Sequence, residues 1–215
     1  MNKNDKSTKE IILRFKEHHQ KIFSQYKRQP KGVDWRDQQT ADIRYKNMLA
    51  LLKGEEVSST PTVLDVGCGY GGLFEYAQKN SIELHYTGID IVPELIQEAS
   101  TMYPDVKFLT GDILENKDIE EYDYIVCNGI LTQKLETSLL DMDNFAKLLI
   151  KKMFSICKKG ICFNIMSTYV NFFVANLHYK HPTEVVNFCF SELSHNVKLD
   201  HSYGLYEYTV YVYKN

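Results

Sequence analysis

The chain has 215 residues, of which 44% are hydrophobic, and a formal net charge of −3 at pH 7. This length suffices for one α/β core, and a negative charge without a basic stripe argues against a nucleic-acid partner. The N-terminus has no apolar signal-like segment and no run is long enough to cross a membrane, so we expect a cytoplasmic protein with no membrane partner.

Apolar residues recur at helical spacing through the first 60 residues, beginning with Ile11, Ile12 and Phe15. The sequence Pro30-Lys31-Gly32 separates two predicted helices. Residues 1–60 are therefore predicted to be a helical segment that packs on a core domain of residues 61–215, without being an independent domain.

The stretch from Val63 to Gly72 reads as a buried strand, a glycine loop and the start of a helix. This layout directs backbone N–H groups and a helix dipole towards a bound ligand. Gly67-x-Gly69-x-x-Gly72 also matches the dinucleotide fingerprint, but that match alone is weak. Asp65 precedes the first glycine, where a carboxylate would repel a pyrophosphate but could hold an ammonium group. S-adenosylmethionine carries an amino acid at one end and a nucleoside at the other, so it fits both features.

Three further predicted strands end in polar residues, and those after the second and third strands are suited to a nucleoside. The second ends at Asp90, which lies 23 residues after Gly67 and could accept hydrogen bonds from both ribose hydroxyls. A third strand, at 106–110, leads to Asp112, whose carboxylate could accept from an adenine amino group or merely cap a turn. A fourth strand, at 122–127, ends at Asn128, which could equally be a turn residue.

Together these motifs resemble those of class I S-adenosylmethionine-dependent methyltransferases over about residues 60–135. The motifs are Leu-Asp-Val-Gly-Cys-Gly-x-Gly, Gly-Ile-Asp, Gly-Asp-Ile and Tyr-Asp-x-Ile-Val-Cys-Asn. The resemblance implies that the first motif holds the methionine part, the second the ribose and the third the adenine, while the fourth faces the reacting sulfur. The candidate cofactor residues are Arg44, Asp65, Gly67, Cys68, Gly69, Gly71, Asp90, Ile91, Asp112, Ile113 and Asn128.

The resemblance also implies a Rossmann-like α/β fold, in which a seven-stranded mixed sheet carries helices on both faces and its last strand is antiparallel. The rest of the chain agrees with it. A helix is predicted to end at Lys158-Lys159-Gly160, a fifth strand follows at 161–165, and the short link at 203–205 permits only an antiparallel hairpin. In the family, the N-terminal segment usually covers the cofactor as a lid. Arg44 of this segment could pair with the methionine carboxylate or be a solvated surface residue.

The segment from Ser167 to His181 lies between the fifth strand and the next helix, at the sheet edge where ligands bind. It is rich in aromatic and histidine residues. We interpret it as an acceptor wall that could supply a base, although such residues also build cores. His178, Tyr179 and His181 are the candidate catalytic residues.

The acceptor is predicted to be a small molecule. Methyltransferases acting on exocyclic adenine or glutamine nitrogens resemble one another in an Asn/Asp-Pro-Pro-aromatic motif, whereas here Gly129 follows Asn128. The C-terminal third loosely resembles small bacterial methyltransferases of surface-carbohydrate synthesis. These features favour O-methylation of a sugar or nucleotide-linked precursor by a monomer or homodimer.

Two alternatives stay open at this point. An NAD(P)-dependent oxidoreductase could use the same glycine spacing, although Asp65 argues against it. A non-catalytic S-adenosylmethionine-binding partner protein would retain the same motifs. No metal site is predicted, because nothing near Asp141-x-Asp143-Asn144 completes an oxygen cage.

Overall fold

A computed structural model describes residues 3–52, 60–116 and 118–215 of the chain. Its helices are α1 (Lys3–Tyr26), α2 (Gln38–Leu49), α3 (Gly72–Lys79), α4 (Pro93–Met102), α5 (Leu139–Ser155) and α6 (Pro182–Glu192). Its strands are β1 (Thr62–Val66), β2 (His85–Asp90), β3 (Lys107–Thr110), β4 (Tyr122–Cys127), β5 (Cys157–Ser167), β6 (Tyr179–Lys180), β7 (Val197–Asp200) and β8 (Glu207–Tyr213). Short 3₁₀ turns span Pro30–Val33, Ala50–Leu52 and Ile130–Thr132.

The strands form one mixed sheet in the order β3-β2-β1-β4-β5-β8-β7. Strands β1 to β5 run parallel to one another, and β8 is antiparallel to both of its neighbours. The predicted Rossmann-like mixed sheet with an antiparallel last strand is therefore confirmed. The two-residue strand β6, which pairs with the carboxyl end of β5, was not predicted.

Helices cover both faces of the sheet, as predicted. Side chains of β1 point alternately to the two faces. Leu64 and Val66 belong to a buried cluster with residues of α1, α5 and α6, whereas Val63 belongs to a second cluster with residues of α2, α3 and α4. Because both faces of the parallel strands are buried, ligands can approach mainly at the strand ends.

One helix boundary was predicted wrongly. Helix α5 ends at Ser155, and Lys158-Lys159-Gly160 already lies within β5. Gly160 pairs with Tyr124 of β4 and with Tyr213 of β8. Backbone pairing on both sides of the strand thus overrides the local stop signals of lysine and glycine.

The N-terminal helix α1 packs against α4, α5 and the 3₁₀ turn at Pro30–Val33. The predicted junction between residues 1–60 and 61–215 falls beside residues 53–59, which lie outside the described residues. Across the described ranges, no helix has both the length and the apolar character that a membrane crossing requires.

Candidate active site

A cavity opens at the carboxyl ends of β1, β2 and β4, and α1 forms part of its wall. It holds about 1090 Å³ of empty space, part of which is open to solvent. Ligand sites in open α/β sheets occur at this end of the strands, so we take the cavity as the candidate active site.

The loop after β1 forms the floor of the cavity and depends on glycine. Gly67, Gly69 and Gly71 all have positive φ angles, of 76°, 57° and 85°, a region that most other residues enter only with strain. The Gly67 N–H donates to the Ile89 carbonyl at 2.8 Å, which fixes the loop against the end of β2. Cys68 is buried in the cavity wall. The loop thus presents its backbone to any ligand in the cavity.

Asp65, at the end of β1, is a buried carboxylate with one unused oxygen. The Tyr86 hydroxyl donates to Oδ2 at 2.7 Å, whereas Oδ1 has no hydrogen-bond partner. Burial raises the pKa of Asp65 from 3.8 to about 7, although the Tyr86 hydrogen bond opposes the change. Burying a carboxylate without a full set of partners is costly, so this oxygen is suited to a cationic donor from a ligand.

Asp90, at the end of β2, ties the glycine loop to the next helix. Its Oδ2 accepts from the Gly69 N–H and its Oδ1 from the Val92 N–H, both at 2.9 Å. Burial raises its pKa from 3.8 to about 6, and the backbone hydrogen bonds act in the opposite direction. Each oxygen can still accept a second hydrogen bond, and both Asp90 and Ile91 line the cavity.

Asp112 and Asn128, which follow β3 and β4, complete the polar lining. The Leu114 N–H donates to Asp112 Oδ1 at 2.9 Å, which leaves Oδ2 buried without a partner. Burial raises the pKa of Asp112 above its ordinary value. Asn128 Oδ1 is likewise buried without a partner, and the buried side chain of Ile113 lies beside them in the lining.

Unpartnered buried side-chain atoms are concentrated in this cavity. Among the described residues there are six such atoms, and four of them belong to residues that line it. The four are Asp65 Oδ1, Asp112 Oδ2, Asn128 Oδ1 and Gln133 Oε1. Buried polar groups in folded proteins are nearly always hydrogen-bonded. The concentration therefore points to a polar ligand as the missing partner.

Arg44 has a different partner from the one predicted. Its guanidinium binds both carboxylate oxygens of Glu207 on β8, with Nε 2.9 Å from Oε1 and Nη2 2.8 Å from Oε2. It also stacks on the Trp35 ring at 4.2 Å. Arg44 does not line the cavity. Because Glu207 is buried, this pair anchors α2 to the sheet, and the geometry gives no support for carboxylate binding by Arg44.

The three candidate catalytic residues also lie away from the cavity lining. His178 is buried, and its ring nitrogens contact Asp143 Oδ1 at 2.7 Å and the Leu131 carbonyl at 3.1 Å. The Tyr179 hydroxyl accepts from the Val174 N–H. His181 caps the start of α6. Tertiary packing thus uses these side chains structurally, and the geometry gives no support for a role as base.

Several lining residues were not predicted as site residues, among them His19, Trp35 and Gln133. His19 shares one face of α1 with Ile12 and Phe15, which also line the cavity and, with His19, define what we call the α1 wall. Burial, helped by the nearby His18, lowers the pKa of His19 from 6.5 to about 4. The sequence signal that could have identified His19 is a histidine on an otherwise apolar face of a predicted helix.

Two sequence comparisons relate this chain to methyltransferases. A family model described as a methyltransferase domain matches residues 58–205. A Mycobacterium tuberculosis protein named as a methyltransferase, Rv1506c, is 28% identical over 158 residues, which cover 71% of this chain and 93% of that protein.

Two solved structures share the fold over nearly their whole length. The magnesium protoporphyrin IX methyltransferase of Synechocystis PCC 6803 with bound S-adenosylhomocysteine has a TM-score of 0.65 and 14% identity, covering 97% of this chain and 100% of that one. The N-methyltransferase NodS of Bradyrhizobium japonicum WM9, also with S-adenosylhomocysteine, has a TM-score of 0.64 and 17% identity, covering 93% and 97%. The two enzymes differ in acceptor, so the shared fold does not specify one.

Proposed function

The chain belongs to the class I S-adenosylmethionine-dependent methyltransferases, and we propose that it methylates a hydroxyl group of a sugar or nucleotide-linked precursor. The cofactor is S-adenosyl-L-methionine. The observation that carries its placement is the group of unpartnered buried oxygens around the glycine loop.

The cavity residues fit this cofactor. Asp65 Oδ1 would accept from the ammonium group, and the loop at 67–71 would contact the methionine part. Both oxygens of Asp90 have capacity left for the two ribose hydroxyls. Asp112 and Ile113 would hold the adenine, through the free Oδ2 and through apolar contact.

The acceptor would occupy the part of the cavity beside the α1 wall. The cavity lining includes aromatic rings, from Phe15 and Trp35, and polar groups, from Gln133 and Asn128. Aromatic faces with a few hydrogen-bonding groups suit a sugar ring, which has both apolar C–H faces and hydroxyls. We also propose that residues 1–60 act as a lid, since Ile12, Phe15 and His19 help to enclose this space.

Catalysis would depend mainly on alignment. When bound, the cofactor supplies a methyl group on a sulfonium, which is already a good leaving group. Asp65 and Asp90 would fix the two ends of the cofactor, so that the methyl group faces the acceptor. Such positioning can contribute roughly 7–11 kcal/mol, whereas a general base gives about 10²–10⁴-fold. The absence of His178, Tyr179 and His181 from the lining is therefore compatible with activity.

Methyl transfer can be tested directly with tritiated-methyl S-adenosylmethionine and a small-molecule extract of sugars and nucleotide sugars. We expect a labelled product in the sugar or nucleotide-sugar fraction that requires the enzyme. Label in another chemical class would retain the methyltransferase and replace the acceptor. Failure to label any extract would favour a cofactor-binding protein without activity.

Cofactor choice is tested by thermal unfolding. A ligand at 100 times its dissociation constant stabilises the folded state by about 2.7 kcal/mol. We expect S-adenosylhomocysteine to raise the unfolding temperature and NAD to leave it unchanged, because Asp65 would repel a pyrophosphate. Greater stabilisation by NAD would reverse the assignment.

Cofactor binding should depend on pH through Asp65. Without a ligand, its pKa is about 7, and a bound ammonium group favours the ionised carboxylate and lowers that pKa. Binding below pH 7 therefore releases a proton, so affinity rises with pH until about 7 and then levels off.

We expect the affinity for S-adenosylhomocysteine to be about tenfold weaker at pH 6 than at pH 7.5. Calorimetry in two buffers of different ionisation enthalpy should show proton release at pH 6.5. In Asp65→Asn the release should be strongly reduced. An affinity that is constant from pH 6 to 7.5 would argue against Asp65 as the ammonium partner.

A further inference from the structure

A cluster of potential metal ligands lies at the edge of the cavity, outside the residues assigned to the cofactor, and one of its members, His19, lines the cavity. His18 and His19 on α1 approach Asp34, which directly follows the 3₁₀ turn at Pro30–Val33. Their ligand atoms all lie within 4.8 Å of one another, the only such group of three found among the described residues. His18 Nε2 is 2.7 Å from Asp34 Oδ2.

The donor set suits a transition metal. Two imidazoles and a carboxylate bind Zn²⁺ at about 2.0–2.2 Å and leave a coordination position for water or substrate. The His18 and Asp34 side chains are 31% and 29% exposed, so an ion can reach them and small side-chain movements can close the cluster around it.

A neighbouring side chain provides the support that metal ligands usually have. The Gln133 side-chain amide donates to Asp34 Oδ2 at 2.8 Å, and such outer hydrogen bonds orient a ligating carboxylate. Gln133 Oε1 has no partner and Gln133 lines the cavity. The Phe15 ring stacks against that of His19, with centroids 6.3 Å apart and planes at 10°, which restrains the imidazole.

One ligand of the cluster also reaches the cavity. His19 belongs to the cavity lining, as does the neighbouring Gln133, whereas His18 and Asp34 do not. An ion held here would link α1 to the turn before α2.

We propose that His18, His19 and Asp34 bind a divalent transition-metal ion at the edge of the cavity, where His19 lines it. The ligand assignment stands independently of the proposed function. The ion would also orient a hydroxyl oxygen of the acceptor, and this role rests on the proposed function.

Zn²⁺ titration of the chelator-treated, full-length protein tests the site. We expect one equivalent to bind the wild type, and His18→Ala, His19→Ala and Asp34→Asn each to weaken binding at least tenfold. His85→Ala, which removes an exposed histidine of β2, is the matched control and should bind as the wild type does. Mg²⁺ should bind more weakly, because it prefers oxygen ligands.

Co²⁺ provides a second readout, since its visible absorption reports the coordination geometry. We expect the wild type and His85→Ala to give a bound-Co²⁺ spectrum that is lost in His19→Ala. Thermal unfolding of each variant confirms that it is folded. The proposal is overturned if Zn²⁺ does not saturate a site in the wild type, or if His19→Ala and His85→Ala bind Zn²⁺ equally. S-adenosylhomocysteine binding is measured separately on the same samples. Its absence would contradict the proposed function without bearing on the metal site.

Discussion

Replacing Asp90 with alanine is expected to lower the affinity for S-adenosylhomocysteine by at least 100-fold. Hydrogen bonds to a charged group contribute about 1.5–3 kcal/mol each, and the carboxylate is placed to accept from two ribose hydroxyls. The same change removes the acceptors of the Gly69 and Val92 N–H groups, so the glycine loop also loses an anchor. Each 1.4 kcal/mol corresponds to tenfold in affinity.

Calorimetric titration measures this loss. Asp105→Ala is the control, because Asp105 is an exposed aspartate that precedes β3 and does not line the cavity. Circular dichroism checks that the fold persists in both variants. The control should bind as the wild type does. Binding of the Asp90→Ala protein within threefold of the wild type would remove the ribose assignment.

The second large effect is expected for Gly67→Ala. An added Cβ would lie 2.6 Å from Ile130 Cδ1, and the residue would keep a φ of +76°. Such strain costs of order 1–3 kcal/mol, and in a protein of this size each kcal/mol lowers the unfolding temperature by about 2–4 °C. We therefore expect a decrease of about 5 °C or more, together with weakened cofactor binding as the loop moves.

Gly111→Ala is the matched control for stability. Gly111 also lines the cavity, but a Cβ there would meet no atom within 4 Å. Differential scanning calorimetry should show a change of less than about 2 °C for this variant. Equal unfolding temperatures for the Gly67→Ala and Gly111→Ala proteins would show that the loop tolerates a side chain at residue 67.

Much of the cofactor end of the cavity could be predicted from the sequence, because its residues lie at or next to the ends of predicted strands. Asp65, Asp90 and Asp112 each come at or just after a strand end, and parallel strands bring their carboxyl ends to one edge. The structure places all three in one cavity. Their roles towards the cofactor remain predictions that the binding experiments test.

Contacts between distant parts of the chain could not be predicted in the same way. Gln133 lies 99 residues from Asp34, to which it donates. Arg44 lies 163 residues from Glu207. A sequence does not show which residue an arginine pairs with, because tertiary packing decides it.

The histidines of the predicted acceptor wall illustrate the same limit. A segment rich in aromatic residues and histidines suggested a ligand surface, yet His178 is buried against Asp143 of α5. His19, which does line the cavity, resembles an ordinary position of an amphipathic helix in the sequence. Composition alone cannot separate these two cases, because the orientation of each segment relative to the sheet decides the outcome.

The assignment of Asp65 to a ligand ammonium is the claim on which the account of the site depends. It is tested most directly by comparing two ligands on wild-type and Asp65→Asn protein. S-adenosylhomocysteine carries the amino acid, whereas 5′-methylthioadenosine has the same nucleoside without it. The substitution preserves the side-chain shape and an oxygen for the Tyr86 hydroxyl, which donates to Asp65.

We expect Asp65→Asn to weaken S-adenosylhomocysteine binding by about 100-fold, because a buried charge pair with the ammonium is lost. Binding of 5′-methylthioadenosine should change by less than about threefold. An equal change for the two ligands, whether large or small, would contradict the account, since the carboxylate would then not distinguish a ligand that carries an ammonium group from one that does not.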